Sequence, residues 1–588
     1  MSKVYKIFGA GPSGLYTAWR LVTSGKLKSG DQLDLYDWGK YDFNGDGQGR
    51  SPSGRICSHH YQQKPDNSYI EIGGMRFIEW DKSKKEGHLL VTKTIADLKL
   101  DDEVEPFITT DNPLFYLRGK HFYQNQLISK GGDVKAPYAT PGNNEKPADE
   151  LFGHISELII GNKKLTTREQ QCAFYDQGNL PDQFNSFVYQ GGDPARNIGY
   201  WNVFYDQAGS EGFQYASDAG GYASNVINWN AANAAVYNGE FAPGGTFKTL
   251  KRGYSSLFAE LFQQTSSAAK SAGIKFTLKQ ETRLHSIWLE DDKPVFRLAA
   301  ASDPNKALQG NDNADYVFMA MPPASVELVA QATRFESVPE KKDFLNDPKV
   351  MNYLESVIEQ PSYKVAMFFD SPWWQDAPYP PKLQNGGTDK NVFGPTITDI
   401  PLKQIYYFGN NAPGCENPQI YGLLASYDDM RFASFWRELE LSTDQSRKKA
   451  ISQDTQPLDG GRIAPIEMEK MLLLQLAKVH YGDPNDAGKI PHPKETVFMD
   501  WGLNPFGAGY HAWAAHYDIG DVMQSIRTPA GMVDGKNESV FLVGSAFSND
   551  QAWVEGAFCT AESVLVDYLN LEPIVDTSDY PLICTCDR

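Results

Sequence analysis

Residues 9–14 read Gly-Ala-Gly-Pro-Ser-Gly, between the apolar run KVYKIF and the helical run LYTAWRL. This is G-x-G-x-x-G in the setting its chemistry requires. Gly9 allows a tight turn, Gly11 lets a pyrophosphate approach the backbone, and Gly14 lets helix pack on strand. The free N–H groups at the start of that helix, beside Pro12 and Ser13, face the phosphates with a partial positive charge. About twenty residues on, DQLDLYDW ends a second strand at Asp37, the acceptor expected for a ribose 2′-hydroxyl, with Trp38 beside it. The chemistry predicted here is the binding of a dinucleotide.

Two cations stand out farther along. Arg76 follows Gly73-Gly74-Met75, and Lys364 lies inside KVAMFF. A lysine in an apolar strand is unfavourable to bury unless it acts there; the alternative is an edge-strand lysine that snorkels to solvent. Arg76 either pairs with Glu71 or Glu79 or, if buried, needs an anion from elsewhere. His59-His60 and His511/His516 are not read as metal ligands, because no carboxylate cluster completes a set; phosphate or solvent contact is expected, and no metal.

The elements that must position these residues follow from patterning. LKRGYSSLFAELFQQTSSAAKSA has helical spacing, IKFTLKQETRLHSIWLEDDKPVFRL reads as three strands, and APIEMEKMLLLQLAKVH is a long helix. ADYVFMAMPP and SVFLVGSAF are buried strands. Residues 131–244 are too aromatic for disorder and too polar for a compact core, so they read as an insertion of short helices and ordered loops near the active-site entrance. At 588 residues, more than one core is expected. The fold class is α/β: a discontinuous Rossmann-like dinucleotide-binding domain (1–80, 245–335 and 535–575), a threaded α+β substrate domain (81–130 and 336–534) and the insertion at 131–244.

The formal net charge of -19 argues against nucleic acid as a partner. No apolar run approaches the ~20 residues that span a bilayer. The first residues lack the pattern of a signal peptide, so the expectation is cytoplasmic, with secretion of a processed form left open. The six cysteines are scattered, unlike a disulfide framework, and Cys584 and Cys586 are expected as free thiols on a frayed C-terminus.

Taken together, these blocks resemble the flavin amine oxidase superfamily, which includes L-amino-acid oxidases, monoamine and polyamine oxidases, and amino-acid 2-monooxygenases. The resemblance spans nearly the whole chain except roughly 90–245. It implies FAD, with Gly54-Arg55-Ile56 resembling the segment whose Arg reaches the cofactor, Leu284 in RLHSIW contacting adenine, and Trp501 near the flavin. Arg50 and a longer spacer depart from that pattern. Gly544 and Ser545 follow the strand SVFLV, Ser545 standing where relatives have Glu, and Trp553, Val554 and Ala557 open a helix under the flavin. Gly73, Gly74, Met75 and Arg76 are similar to the stretch that runs beneath the ring. Gly509 occupies the place of the flavin-linked Cys of monoamine oxidases, which implies non-covalent FAD.

The same resemblance implies the catalytic set. Arg76 grips an α-carboxylate, and Tyr407 is expected as its second donor, since alternation sends one of Tyr406 and Tyr407 to the pocket. Lys364 holds a water against the flavin. Trp553 and Tyr510 form facing aromatic walls, with the Ala552 carbonyl available to the substrate amine. The implied activity is oxidative deamination of L-amino acids with dioxygen to 2-oxo acids, ammonia and hydrogen peroxide, by a homodimer. An amino-acid 2-monooxygenase, an amine oxidase and a flavin-free binding protein on the same fold are the rivals.

Overall fold

Parallel strands need cover on both faces and therefore read as nearly unbroken apolar runs. In the computed structural model, Lys275–Lys279, Gln32–Tyr36, Val4–Phe8, Tyr316–Met319 and Val540–Leu542 lie side by side in that order, every pair parallel. One Rossmann-like sheet is thus assembled from the start, middle and end of the chain. The structure describes residues 2–585 except 42, 44–52, 62–67, 239–245, 339, 383–392, 413–414, 416–418, 441–460, 504 and 579. Arg50 and Cys586 lie outside the described residues.

The helix Pro12–Thr23 begins on a proline, where a missing N–H is harmless, and packs between the helices Ser255–Ala272 and Val554–Asp567. Arg20 fastens it to the last of these with two hydrogen bonds of 2.8 Å to the buried Glu562 carboxylate. The helix Ser255–Ala272 ends at Gly273, whose φ of 70° is the left-handed cap.

A second, eight-stranded sheet carries the other half of the site. Its central strands are Glu495–Asp500, Ser362–Phe369, Tyr421–Asp429 and Gln404–Gly409, each antiparallel to the next. Alternation gives this sheet two faces. Ala366, Phe368, Tyr406 and Phe408 join the large core shared with the parallel sheet. Tyr363, Val365, Met367, Ile405 and Tyr407 turn the other way, onto Met468, Leu472 and Leu476 of the helix Ile466–His480.

Between the two sheets' contributions in sequence, the described residues 131–238 form the helices Ala148–Ile160, Arg168–Gln177, Tyr200–Ala219 and Ala231–Tyr237 with short 3-10 turns and loops. Here one sequence expectation fails. Cys172 and Cys584 form a disulfide, with Cα atoms 5.2 Å apart, across 412 residues of chain. Cys584 is buried rather than a free thiol on a frayed end. No local spacing reveals a pair that only tertiary folding brings together. Among the described residues, no helix is long and apolar enough to cross a membrane, and no group of three or more His, Cys, Asp or Glu side chains is placed to hold a metal ion.

Candidate active site

The Gly9–Gly14 turn is as tight as its spacing requires. Gly9 has φ +119°, and a Cβ there would lie 2.1 Å from the Ala320 carbonyl oxygen; one on Gly14 would lie 1.8 Å from that of Gly9. Gly11 differs: a Cβ would meet nothing nearer than 3.6 Å, because that side faces a cleft. Asp37, at the end of its strand, accepts from Ala10 N (2.6 Å), Gly39 N (2.7 Å) and the Tyr41 hydroxyl (2.9 Å). It therefore holds the glycine turn in place as well as facing the cleft, and burial raises its pKa despite the donors.

One continuous cleft runs from this turn to the eight-stranded sheet. Gly9, Gly11, Pro12, Ser13, Asp37 and Trp38 line its first end, with Leu284 at a β-bulge beyond them. Gly544, Ser545, Val554 and Ala557 line it as well, as does Trp501, whose indole donates to the Ile72 carbonyl at 2.7 Å. Arg55 is half-buried in the wall, donating to the Ala508 and Gly509 carbonyls at 3.2 and 3.0 Å. No described carboxylate pairs with it, and burial lowers its pKa to about 10. A guanidinium kept in such a place without an anion suits a ligand that brings one.

Gly73, Gly74, Met75 and Arg76 follow along the floor. A Cβ on Gly73 would lie 2.3 Å from the Arg55 carbonyl, so the backbone of Arg55–Cys57 itself demands the glycine. Arg76 is 8% exposed. Its guanidinium lies over the Phe247 ring at 3.9 Å and near Phe107 at 5.3 Å, and its Nη1 has no hydrogen-bond partner. Glu71 and Glu79 do not pair with it: Glu71 accepts from the Ser58 hydroxyl and Tyr254 N, and Glu79 meets Lys248 at 3.5 Å.

Lys364 is buried on the cleft side of its strand, donates to the Gly73 carbonyl at 2.5 Å, and lies over the Tyr427 ring at 4.1 Å. Burial lowers its pKa to about 7, with Glu71 opposing and Arg76 reinforcing the shift. Trp553, Ala552 and Tyr510 also line the cleft. Ala552 holds a left-handed φ of 69°. Tyr510 shares its hydroxyl with Ser224 at 2.9 Å and donates to Asp429 at 3.1 Å.

Tyr407 is the correction. Its hydroxyl bonds Thr396 at 2.8 Å and His480 at 3.1 Å in the far core. Tyr406 stands on the Lys364 face instead, its hydroxyl under the influence of Arg76 and Tyr222. The period of two puts adjacent residues on opposite faces, and the phase is set by the pairing with Tyr421–Asp429. Sequence reasoning also missed Tyr427, and Tyr222, Asn225, Trp229 and Tyr237 of the insertion, all of which line the cleft. His511 lines it too, buried and with neither ring nitrogen bonded; burial and Arg55 hold it neutral. His59 bonds Glu495 at 2.6 Å, away from the cleft.

The residues present fit FAD: one cleft lined by a glycine turn, a guanidinium with no carboxylate partner and several aromatic side chains. Gly509 offers no side chain for a covalent link.

No family model matches the chain. It is 25% identical to Aplysianin-A of Aplysia kurodai over 595 residues, covering 97% of this chain and 92% of that protein. It is 26% identical to L-amino-acid oxidase 4 of Hebeloma cylindrosporum over 224 residues, 37% of this chain and 30% of the relative. Among solved structures, a putrescine oxidase variant redesigned in cofactor binding superposes with a TM-score of 0.59 at 12% identity, covering 97% of this chain and 100% of that one. In fold, the chain is similar to putrescine oxidase and cyclohexylamine oxidase.

Proposed function

We propose that this protein oxidatively deaminates L-amino acids, using non-covalent FAD and dioxygen. The observation that carries the reading is Arg76: a buried guanidinium at the cleft floor, held by two rings, with an unpartnered Nη1 and no carboxylate of its own. Simple amines bring no anion to such a group; α-amino acids do. The similarity to a protein named as an L-amino-acid oxidase supports the same choice.

We assign Gly9, Gly11, Pro12, Ser13 and Gly14 to the pyrophosphate, Asp37 and Trp38 to the adenosine ribose side, and Leu284 to adenine. Arg55, Gly544 and Ser545 take the phosphates and ribityl chain, and Gly73, Gly74, Met75, Trp501, Val554 and Ala557 enclose the ring. The cofactor-binding part is then 1–80, 245–335 and 535–575, with the substrate part at 81–130 and 336–534 and the insertion closing the chamber.

When bound, FAD supplies the two-electron acceptor for the substrate and passes those electrons to dioxygen, giving hydrogen peroxide. The protein's part is orientation. Arg76 binds the carboxylate in a fork, and Tyr406 replaces Tyr407 as its neighbour. Trp553, Tyr427 and Tyr510 wall the side chain, and the Ala552 carbonyl accepts from the α-amine. Lys364, neutral above pH of about 7, holds a water or a proton beside the Gly73 carbonyl. The substrate leaves as an imino acid, which water hydrolyses to a 2-oxo acid and ammonia. We propose an oxidising compartment rather than the cytoplasm, on the strength of Cys172–Cys584, and a homodimer, tested by light scattering.

The deciding experiment measures peroxide and ammonia across the twenty L-amino acids, their D-forms and the corresponding amines. Peroxide and ammonia in equal amounts from L-amino acids support the reading. An amide with carbon dioxide, faster turnover of amines, or a colourless inactive protein refutes it.

A further inference from the structure

The C-terminal tail is clipped to the inserted helix Arg168–Gln177 by Cys172–Cys584. Just before the clip, Tyr580 is buried behind the cleft wall. Its ring lies 3.9 Å from the Arg168 guanidinium, and its hydroxyl donates to Glu555 at 2.6 Å. Arg168 also pairs with Asp550 and donates to the Pro581 carbonyl at 3.1 Å. Arg168 and Cys172 are four residues apart, so they share one helix face, and that face holds the tail twice.

The two acids reached from behind bracket the wall. Trp553 N donates to the Asp550 carbonyl at 3.2 Å, and Glu555 opens the helix that follows. Glu555 also accepts from Leu90 N and Val91 N, both at 2.9 Å, which fixes the helix Leu89–Asp97. The cap of that helix, His88, sets its ring edge-on to Trp553 with centroids 4.7 Å apart. Ala552, between the two anchors, holds a left-handed backbone that a residue with a Cβ keeps only when its surroundings impose it. None of Arg168, Cys172, Tyr580 and Cys584 lines the cleft.

We propose that Arg168 and Tyr580, locked together by Cys172–Cys584, are positioning residues for the Ala552–Trp553 wall, and that reduction of this disulfide loosens the wall. A dithiol reductant delivers two electrons and two protons, leaving two cysteine thiols and an oxidised reductant. Once unclipped, the segment around Tyr580 is held by its remaining non-covalent contacts, including those to Arg168 and Glu555. The kinetic part of the claim rests on the amino-acid oxidase reading; tail release and thermal stability do not.

The test uses the purified full-length protein with its cofactor, untreated or exposed to dithiothreitol without denaturant, together with Tyr580→Phe and Cys172→Ser/Cys584→Ser. Reduction and the double variant are expected to expose the tail to limited proteolysis and lower Tm by about 5 °C. Tyr580→Phe, with its disulfide intact, is expected to raise the amino-acid KM about tenfold, the scale of one hydrogen bond to a charged group, with kcat changed less. A merely structural clip would lower Tm and leave KM alone. The positioning claim is overturned if Tyr580→Phe, folded and with its disulfide intact, keeps its amino-acid KM within twofold of the parent, and the clip is overturned if thiol titration shows the disulfide open while proteolysis stays within twofold of the untreated protein. Should the double variant fail to fold, dithiothreitol treatment of the folded protein and Tyr580→Phe decide. If amino acids are not substrates at all, tail release and Tm still judge the clip separately.

Discussion

Arg76→Met isolates the central claim, because it keeps most of the buried stem and removes the charge and the fork. In the free protein, the guanidinium is desolvated against Phe247 and Phe107, and no described carboxylate offsets it. Replacing such a charge with an apolar side chain of similar volume is neutral or stabilising. Tm of Arg76→Met is therefore expected to equal or exceed that of the parent. Catalysis moves the other way. The substrate carboxylate is left without its charged partner in a buried chamber, a loss of about 2–5 kcal/mol, or roughly 30- to several-thousand-fold in kcat/KM. Arg76→Lys keeps the charge and loses the second donor, so about 10- to 150-fold is expected. The assay is peroxide release from L-amino acids and from the matching amines. The parent should strongly prefer the acids, and Arg76→Met should erase most of that preference by slowing the acids alone. Unchanged amino-acid kinetics in Arg76→Met, or equal losses on acids and amines, would refute the assignment.

Lys364 titrates near 7 in the fold against 10.5 when unfolded, so between these values the unfolded chain binds more protons and this residue makes stability rise with pH. Urea unfolding of Lys364→Met should show that rise flattened between pH 7 and 10.5, and activity of the parent should gain a limb near pH 7 that the variant lacks. Tyr406→Phe should raise KM for amino acids, while Tyr407→Phe, altering only the far core, should leave it within about twofold; steady-state kinetics on both distinguishes the two faces. Gly14→Ala places a Cβ 1.8 Å from the Gly9 carbonyl, so the variant is expected to purify with little or no flavin absorbance.

What could be read from the residues in order was whatever depends on short-range pattern. The strand–turn–helix around Gly9–Gly14, the acid at Asp37, the apolar runs of the parallel sheet and the helix Ile466–His480 all repeat with the period of their own backbone. Lys364 was legible because a charge in an apolar strand is conspicuous whatever surrounds it in space, and Arg76 because Gly73–Phe77 resembles a family stretch.

Tertiary structure alone decided the rest. Which of Tyr406 and Tyr407 meets Arg76 depends on strand register, and a shift of one residue exchanges the two faces. The chamber residues Tyr222, Asn225, Trp229 and Tyr237 come from a segment with no period of its own, brought to the cleft by packing. Cys172 met Cys584 across 412 residues because two distant stretches close on the same helix. Local order is written in the spacing of neighbours along the chain; contacts between remote segments arise only when the whole core closes, and no single stretch of residues contains them.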